Sequence, residues 1–75
     1  MVKIYTTSTC HYCEMAKEYF KKNKVAYEEH NVAEDESARE EMIKKSDQMG
    51  VPVIDINGEI IIGFDKDAID KALKL

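Results

Sequence analysis

The chain has no tryptophan, a single proline, three glycines and only two cysteines among its 75 residues. Each scarcity excludes something. Cys10 and Cys13 cannot supply the dense, widely spaced bridges that staple small secreted domains. The longest apolar runs, such as Ile60-Ile61-Ile62, fall far short of the ~20 residues that span a bilayer, so no membrane association is expected. The net charge is −4 and no basic stripe interleaves with aromatics, so no nucleic-acid partner is expected. Residues 1–5 read directly into a strand, without the apolar segment and small-residue cleavage site of a secretion signal, and the expected location is cytoplasmic.

What is present suits a folded, soluble domain. Hydrophobic residues make up 44% of the chain and charged residues 35%. A chain this short buries a modest fraction of its surface, so residues 1–75 are expected to form one domain with a compact core, and a monomer.

The periodicity gives the order of elements. Residues 2–6, rich in Val, Ile, Tyr and Thr, read as a strand. From His11 onward, Tyr12, Met15, Ala16, Tyr19 and Phe20 recur at helical spacing. Lys17, Glu18, Lys21 and Lys22 are assigned to the outer face of that helix, and Lys21, Lys22 and Lys24 suit its C-terminal dipole. Residues 25–32 read as a second strand with Val25, Tyr27 and Val32 inward. Glu34, Asp35 and Glu36 open a second helix whose stripe is Ala38, Met42 and Ile43, and Gly50 is the expected place for the chain to turn back. That acidic run reads as a helix start rather than a metal site. Residues 51–56 and 59–62 are strands joined by Asn57-Gly58, a strong hairpin signal. Asp65 or a neighbouring residue caps a last helix with Ala68, Ile69, Ala72 and Leu73 inward. The order β-α-β-α-β-β-α makes the first two strands parallel and the last two an antiparallel hairpin. The expected architecture is a mixed four-stranded sheet flanked by three helices.

Cys10-His11-Tyr12-Cys13 stands where a loop gives way to the first helix. Residues three apart on a helical turn share a face, so the two sulfurs can meet. At a helix start, unpaired N–H groups and the positive dipole end stabilise an anion. Cysteines so placed have pKa values lowered to about 3.5–7.5. Cys10 is therefore the expected attacking thiolate, and Cys13, one turn further in, the expected resolving thiol. Competing readings are a structural disulfide, a zinc half-site and two buried structural cysteines. The first closes almost no loop. The second lacks a full ligand set, since only His11 and His30 could join the pair. No metal is expected. Pro52, the single proline, fits the start of a strand. Taken by itself the Val51–Pro52 bond would be trans, because only ~5–6% of such bonds are cis.

The CHYC motif, Val51-Pro52 before the third strand and Gly63-Phe64-Asp65 before the last helix together resemble the short, bacterial-type dithiol glutaredoxins over essentially the whole chain. The resemblance implies an α/β, minimal thioredoxin-like fold and a cis Val51–Pro52 bond. It implies glutathione as reducing co-substrate, lying as a mixed disulfide on Cys10 along Tyr12, Val51, Pro52, Gly63 and Asp65. Disulfide-containing proteins are the implied partners. Three positions depart from the family pattern. His11 stands where proline is usual, and a protonated imidazole there would stabilise the thiolate further. Thr7 replaces a lysine that often meets a glutathione carboxylate. Lys66 follows Asp65 where an acidic residue or Ser-Asp is common. One alternative is a redoxin served by thioredoxin reductase and feeding ribonucleotide reductase, although the chain lacks the tryptophan-containing C-terminal segment usual there. Another is a glutathione-dependent iron–sulfur carrier, which the presence of Cys13 disfavours.

Overall fold

A computed structural model describes residues 2–74. Met1, which the sequence places ahead of the first strand, and Leu75 lie outside the described residues. The elements are β1 (Val2–Thr6), α1 (His11–Lys22), β2 (Glu28–Asn31), α2 (Glu36–Ser46), β3 (Val53–Ile56), β4 (Glu59–Ile62) and α3 (Lys66–Leu73). The sheet order is β2-β1-β3-β4. β1 runs parallel to β2, and β3 runs antiparallel to both β1 and β4. This is the mixed sheet with three helices that the element order predicts.

Alternation along the strands divides the core in two. Val2 and Ile4 of β1, Ile54 and Ile56 of β3, and Ile61 of β4 face Ala16 and Phe20 of α1 and Ile69 of α3. Tyr5 and Val53 point the opposite way, toward Ala38 and Met42 of α2. Emptying the wholly buried Phe20 position to alanine would cost about 3–5 kcal/mol.

On the α2 side a charged cluster fastens the helix to the sheet. Lys45 donates to Asp55 Oδ2 at 2.6 Å and to the Tyr5 hydroxyl at 3.0 Å, and pairs with Glu41 at 3.1 Å. Burial works against the charge on Asp55, but the Lys45 ammonium and the Gly58 N–H outweigh it and hold the carboxyl below its ordinary range. Burial likewise opposes the charge on Lys45, and its three partners push its pKa up.

Several boundaries differ from the sequence expectation. β2 begins at Glu28 and not at Val25. The chain leaves α1 through Lys24 in the left-handed region, and the Val25 N–H closes on the Phe20 carbonyl at 2.8 Å. Val25 and Tyr27 pack against the core on the α1 side, with the Tyr27 ring 5.6 Å from that of Phe20, without joining a ladder. β3 begins at Val53 and not at residue 51, because Pro52 has no N–H to offer the sheet. Asp47, not Gly50, takes the left-handed position that ends α2, donating its N–H to the Ile43 carbonyl at 2.7 Å. Lys17 turns inward from the expected outer face, because its ammonium reaches Glu29 on β2 and Glu14 on α1, both at 3.0 Å. The hairpin forms as expected, with both Asn57 and Gly58 at positive φ.

Candidate functional site

Topology gathers three loops at one end of the sheet. β1 ends near Thr6, and Tyr5 lies opposite Val53 at the start of β3. Val53 in turn lies opposite Ile62 at the end of β4. The loop into α1, the loop into β3 and the turn out of β4 therefore share that end.

Cys10 is the N-cap of α1, in extended conformation with φ −95° and ψ 112°. Its Sγ accepts the Cys13 N–H at 3.1 Å, in the slot where a serine or aspartate oxygen usually sits. The two cysteines form a disulfide with their Cα atoms 5.2 Å apart. In the reduced protein the Cys10 sulfur in that slot stands as a thiol or thiolate. Cys13 is 0% exposed, whereas Cys10 is partly exposed. Tyr12 projects outward, 60% exposed, with the exposed His11 ring edge-on to it at 5.8 Å.

The Val51–Pro52 peptide is cis. This agrees with the family resemblance and differs from the reading of the proline alone. The Pro52 carbonyl accepts the Gly63 N–H at 2.8 Å, tying the second loop to the third. Gly63 has φ +78°, a conformation that side-chain-bearing residues rarely adopt. Two residues on, Asp65 caps α3 by accepting the Ala68 N–H at 3.2 Å. Cys10, His11, Tyr12, Cys13, Val51, Pro52, Gly63 and Asp65 thus all belong to these three segments.

Lys66, the departure beside Asp65, is occupied elsewhere. Its ammonium lies 3.5 Å from Asp70 and 5.5 Å from the centre of the Tyr19 ring. The Tyr19 hydroxyl also donates to Asp70, and that carboxylate raises the Tyr19 pKa. The charge of Lys66 therefore joins a contact between α1 and α3.

A polar network that the helical pattern did not reveal links α1, β1 and β2. The buried Thr6 hydroxyl donates to Glu29 Oε2 at 2.9 Å, and Lys17 donates to the same oxygen at 3.0 Å. Hydrogen bonding to Glu29 and then to Glu14 raises the Lys17 pKa. For Glu29, burial pushes upward but Lys17 and Thr6 prevail and lower the pKa. The Glu14–Lys17 spacing was one available signal; Glu29, on another strand, left none. Among the described residues, no three or more His, Cys, Asp or Glu side chains converge as a metal-binding group.

Comparison with known proteins agrees with this geometry. A family model described as Glutaredoxin matches residues 2–61. The chain belongs to the glutaredoxin family. Its paired cysteines make it a thiol–disulfide oxidoreductase of that family. A glutaredoxin-like 8.6 kDa protein in the rubredoxin operon of Clostridium pasteurianum is 50% identical over 74 residues, covering 99% of each chain. Glutaredoxin 3 of Escherichia coli K12 is 41% identical over 64 residues, 85% of this chain and 77% of that one. The crystal structure of the thioredoxin-like protein BC3987 superimposes with a TM-score of 0.90 at 33% identity, covering 96% of this glutaredoxin and 99% of that chain.

Proposed function

We propose that this glutaredoxin reduces protein disulfides and glutathione mixed disulfides by dithiol exchange, with Cys10 as nucleophile and Cys13 as resolving thiol. The reading rests on one contrast. The Cys10 sulfur accepts a backbone N–H at a helix start, whereas Cys13 is wholly buried. The Cys10 thiolate attacks a substrate disulfide and expels one sulfur as a thiolate, which takes a proton from water. The Cys13 thiol then loses its proton and attacks Cys10 Sγ, releasing the second substrate sulfur. Two electrons have passed to the substrate, and the chain holds the Cys10–Cys13 bridge. Two glutathione molecules return it to the dithiol and leave as glutathione disulfide.

Glutathione bound to Cys10 would lie along Tyr12, Val51, Pro52, Gly63 and Asp65. The shared end of the sheet and the bond from Gly63 to Pro52 support that path. The pairing of Lys66 with Asp70 supports it too, since this lysine's charge is engaged on the α1–α3 side. His11, exposed beside Cys10, has a modulating role on the Cys10 sulfur. A pair of this kind suits a reducing compartment, and we assign the protein to the cytoplasm as a monomer with one domain over residues 1–75.

A coupled assay tests the choice of reductant. With hydroxyethyl disulfide as substrate, glutathione plus glutathione reductase should sustain turnover, and thioredoxin reductase should not. The opposite result would make the protein a thioredoxin-reductase-dependent redoxin.

A further inference from the structure

Gly50 is not a glycine for the sake of its backbone angles, because the glycines at positive φ are Gly58 and Gly63. A Cβ there would meet Gln48 Oε1 at 2.7 Å, the far end of a flexible side chain that can swing aside. The Gln48 carboxamide folds over Gly50 as a bracket: Oε1 accepts the Gly50 N–H at 2.7 Å, and Nε2 donates to the Gly50 carbonyl at 3.0 Å. The Ser46 hydroxyl lies 3.1 Å from the Gln48 carbonyl, and the left-handed Asp47 is tied to Ile43. Between the two bracketed residues stands Met49, whose large apolar side chain is 67% exposed.

Met49 stands two residues before Val51, in the loop that enters β3 at the end of the sheet from which β1 leads to Cys10. A fixed backbone lowers the ordering cost of binding. The unbranched thioether can still adapt to differently shaped apolar partners.

We infer that Met49, held outward by the Gln48 bracket, is a specificity-determining contact that favours polypeptide disulfides with an apolar residue beside the reactive cysteine. Glutathione, whose other residues are polar, would gain nothing from it. The inference rests on the dithiol reading above and names the substrate class for that site.

The test uses pre-reduced protein and two disulfide-bridged peptides that differ only in a Leu or a Ser next to one cysteine. The readout is the ratio of their second-order reduction rates, which a general loss of activity does not move. The native protein should prefer the Leu peptide about tenfold, the scale set by burying a methionine side chain. Met49→Ser should bring the ratio close to one, and Met49→Leu should keep it. Gln48→Ala should lower it severalfold by releasing the loop. A native ratio near one, or a ratio unchanged in Met49→Ser, would overturn the inference. Cys10→Ser separates the two levels. Loss of reduction of both peptides supports the dithiol reading, and retention of both overturns that reading itself.

Discussion

The three helices begin in the same way, with different chemistry in the same slot. Asp35 Oδ1 accepts the Ala38 N–H at 3.1 Å, Asp65 Oδ1 accepts the Ala68 N–H at 3.2 Å, and Cys10 Sγ accepts the Cys13 N–H at 3.1 Å. At α2 the slot holds a carboxylate, whose reward is helix stability. At α1 it holds a sulfur that can exist as thiol, thiolate or disulfide. In the proposed mechanism the same N–H and the same dipole favour the thiolate, which would turn a capping interaction into a device for reactivity. Asp65 stands between the two cases: it caps α3, and it closes the turn proposed to carry glutathione.

The largest effect that breaks this comparison is removal of the sulfur while the cap is kept. Cys10→Ser should lower the reduction of insulin disulfides by about 1000-fold or more, as loss of a nucleophile does. Its thermal unfolding should change little, because serine caps well. Next comes Cys13→Ser. It should slow protein-disulfide reduction by about 100-fold, since the intramolecular attack is lost. Reduction of a glutathionylated peptide should persist, because free glutathione can resolve Cys10; equal loss on both substrates would assign Cys13 a structural role.

On the opposite face the Lys45–Asp55 pair fastens α2 to the sheet. Asp55→Asn leaves Lys45 with Tyr5 and Glu41 and should cost about 1–3 kcal/mol in denaturant unfolding. The sign with pH follows from the direction of each shift. Asp55 is held below its ordinary value, so its contribution is complete above the unfolded carboxylate pKa of ~3.9 and is lost as pH falls through the folded value. Lys45 is raised, so its contribution is complete below ~10.4 and is lost as pH rises through the folded value. The variant should flatten the acid limb of the stability curve. The smallest effect belongs to the purely structural cap. Asp35→Ala should cost about 1 kcal/mol of stability without changing the rate of disulfide reduction.

The element order, the acidic start of α2, the cap at Asp65 and the cysteine at a helix start were legible because each is a local signal: a period, a capping residue or a turn pair. The Asn57-Gly58 hairpin was legible for the same reason. What escaped depends on contacts between distant segments. Val25 and Tyr27 are apolar in a strand-like run, yet they pack against the core beside α1 without pairing. Lys17 sits inward only because Glu29 on β2 and Glu14 draw it there. Gly50 resembles a turn glycine, but Asp47 makes the turn, and Gly50 instead exchanges hydrogen bonds with the Gln48 carboxamide. The cis bond before Pro52 came from the resemblance of three motifs, since no single residue around it carries that information. Of the candidate site, the cysteine pair could be reasoned from residues alone, and the surrounding surface needed the fold that brings three loops together.

The central claim is that the helix-cap slot makes Cys10 a thiolate at neutral pH. The most direct measurement is the rate of iodoacetamide alkylation of the reduced protein against pH, with each cysteine followed by mass spectrometry. Cys10 should titrate below the ordinary thiol range and at pH 6 react much faster than the buried Cys13. A Cys10 profile centred on the ordinary ~8.5, with both cysteines alkylated at equal rates, would contradict it.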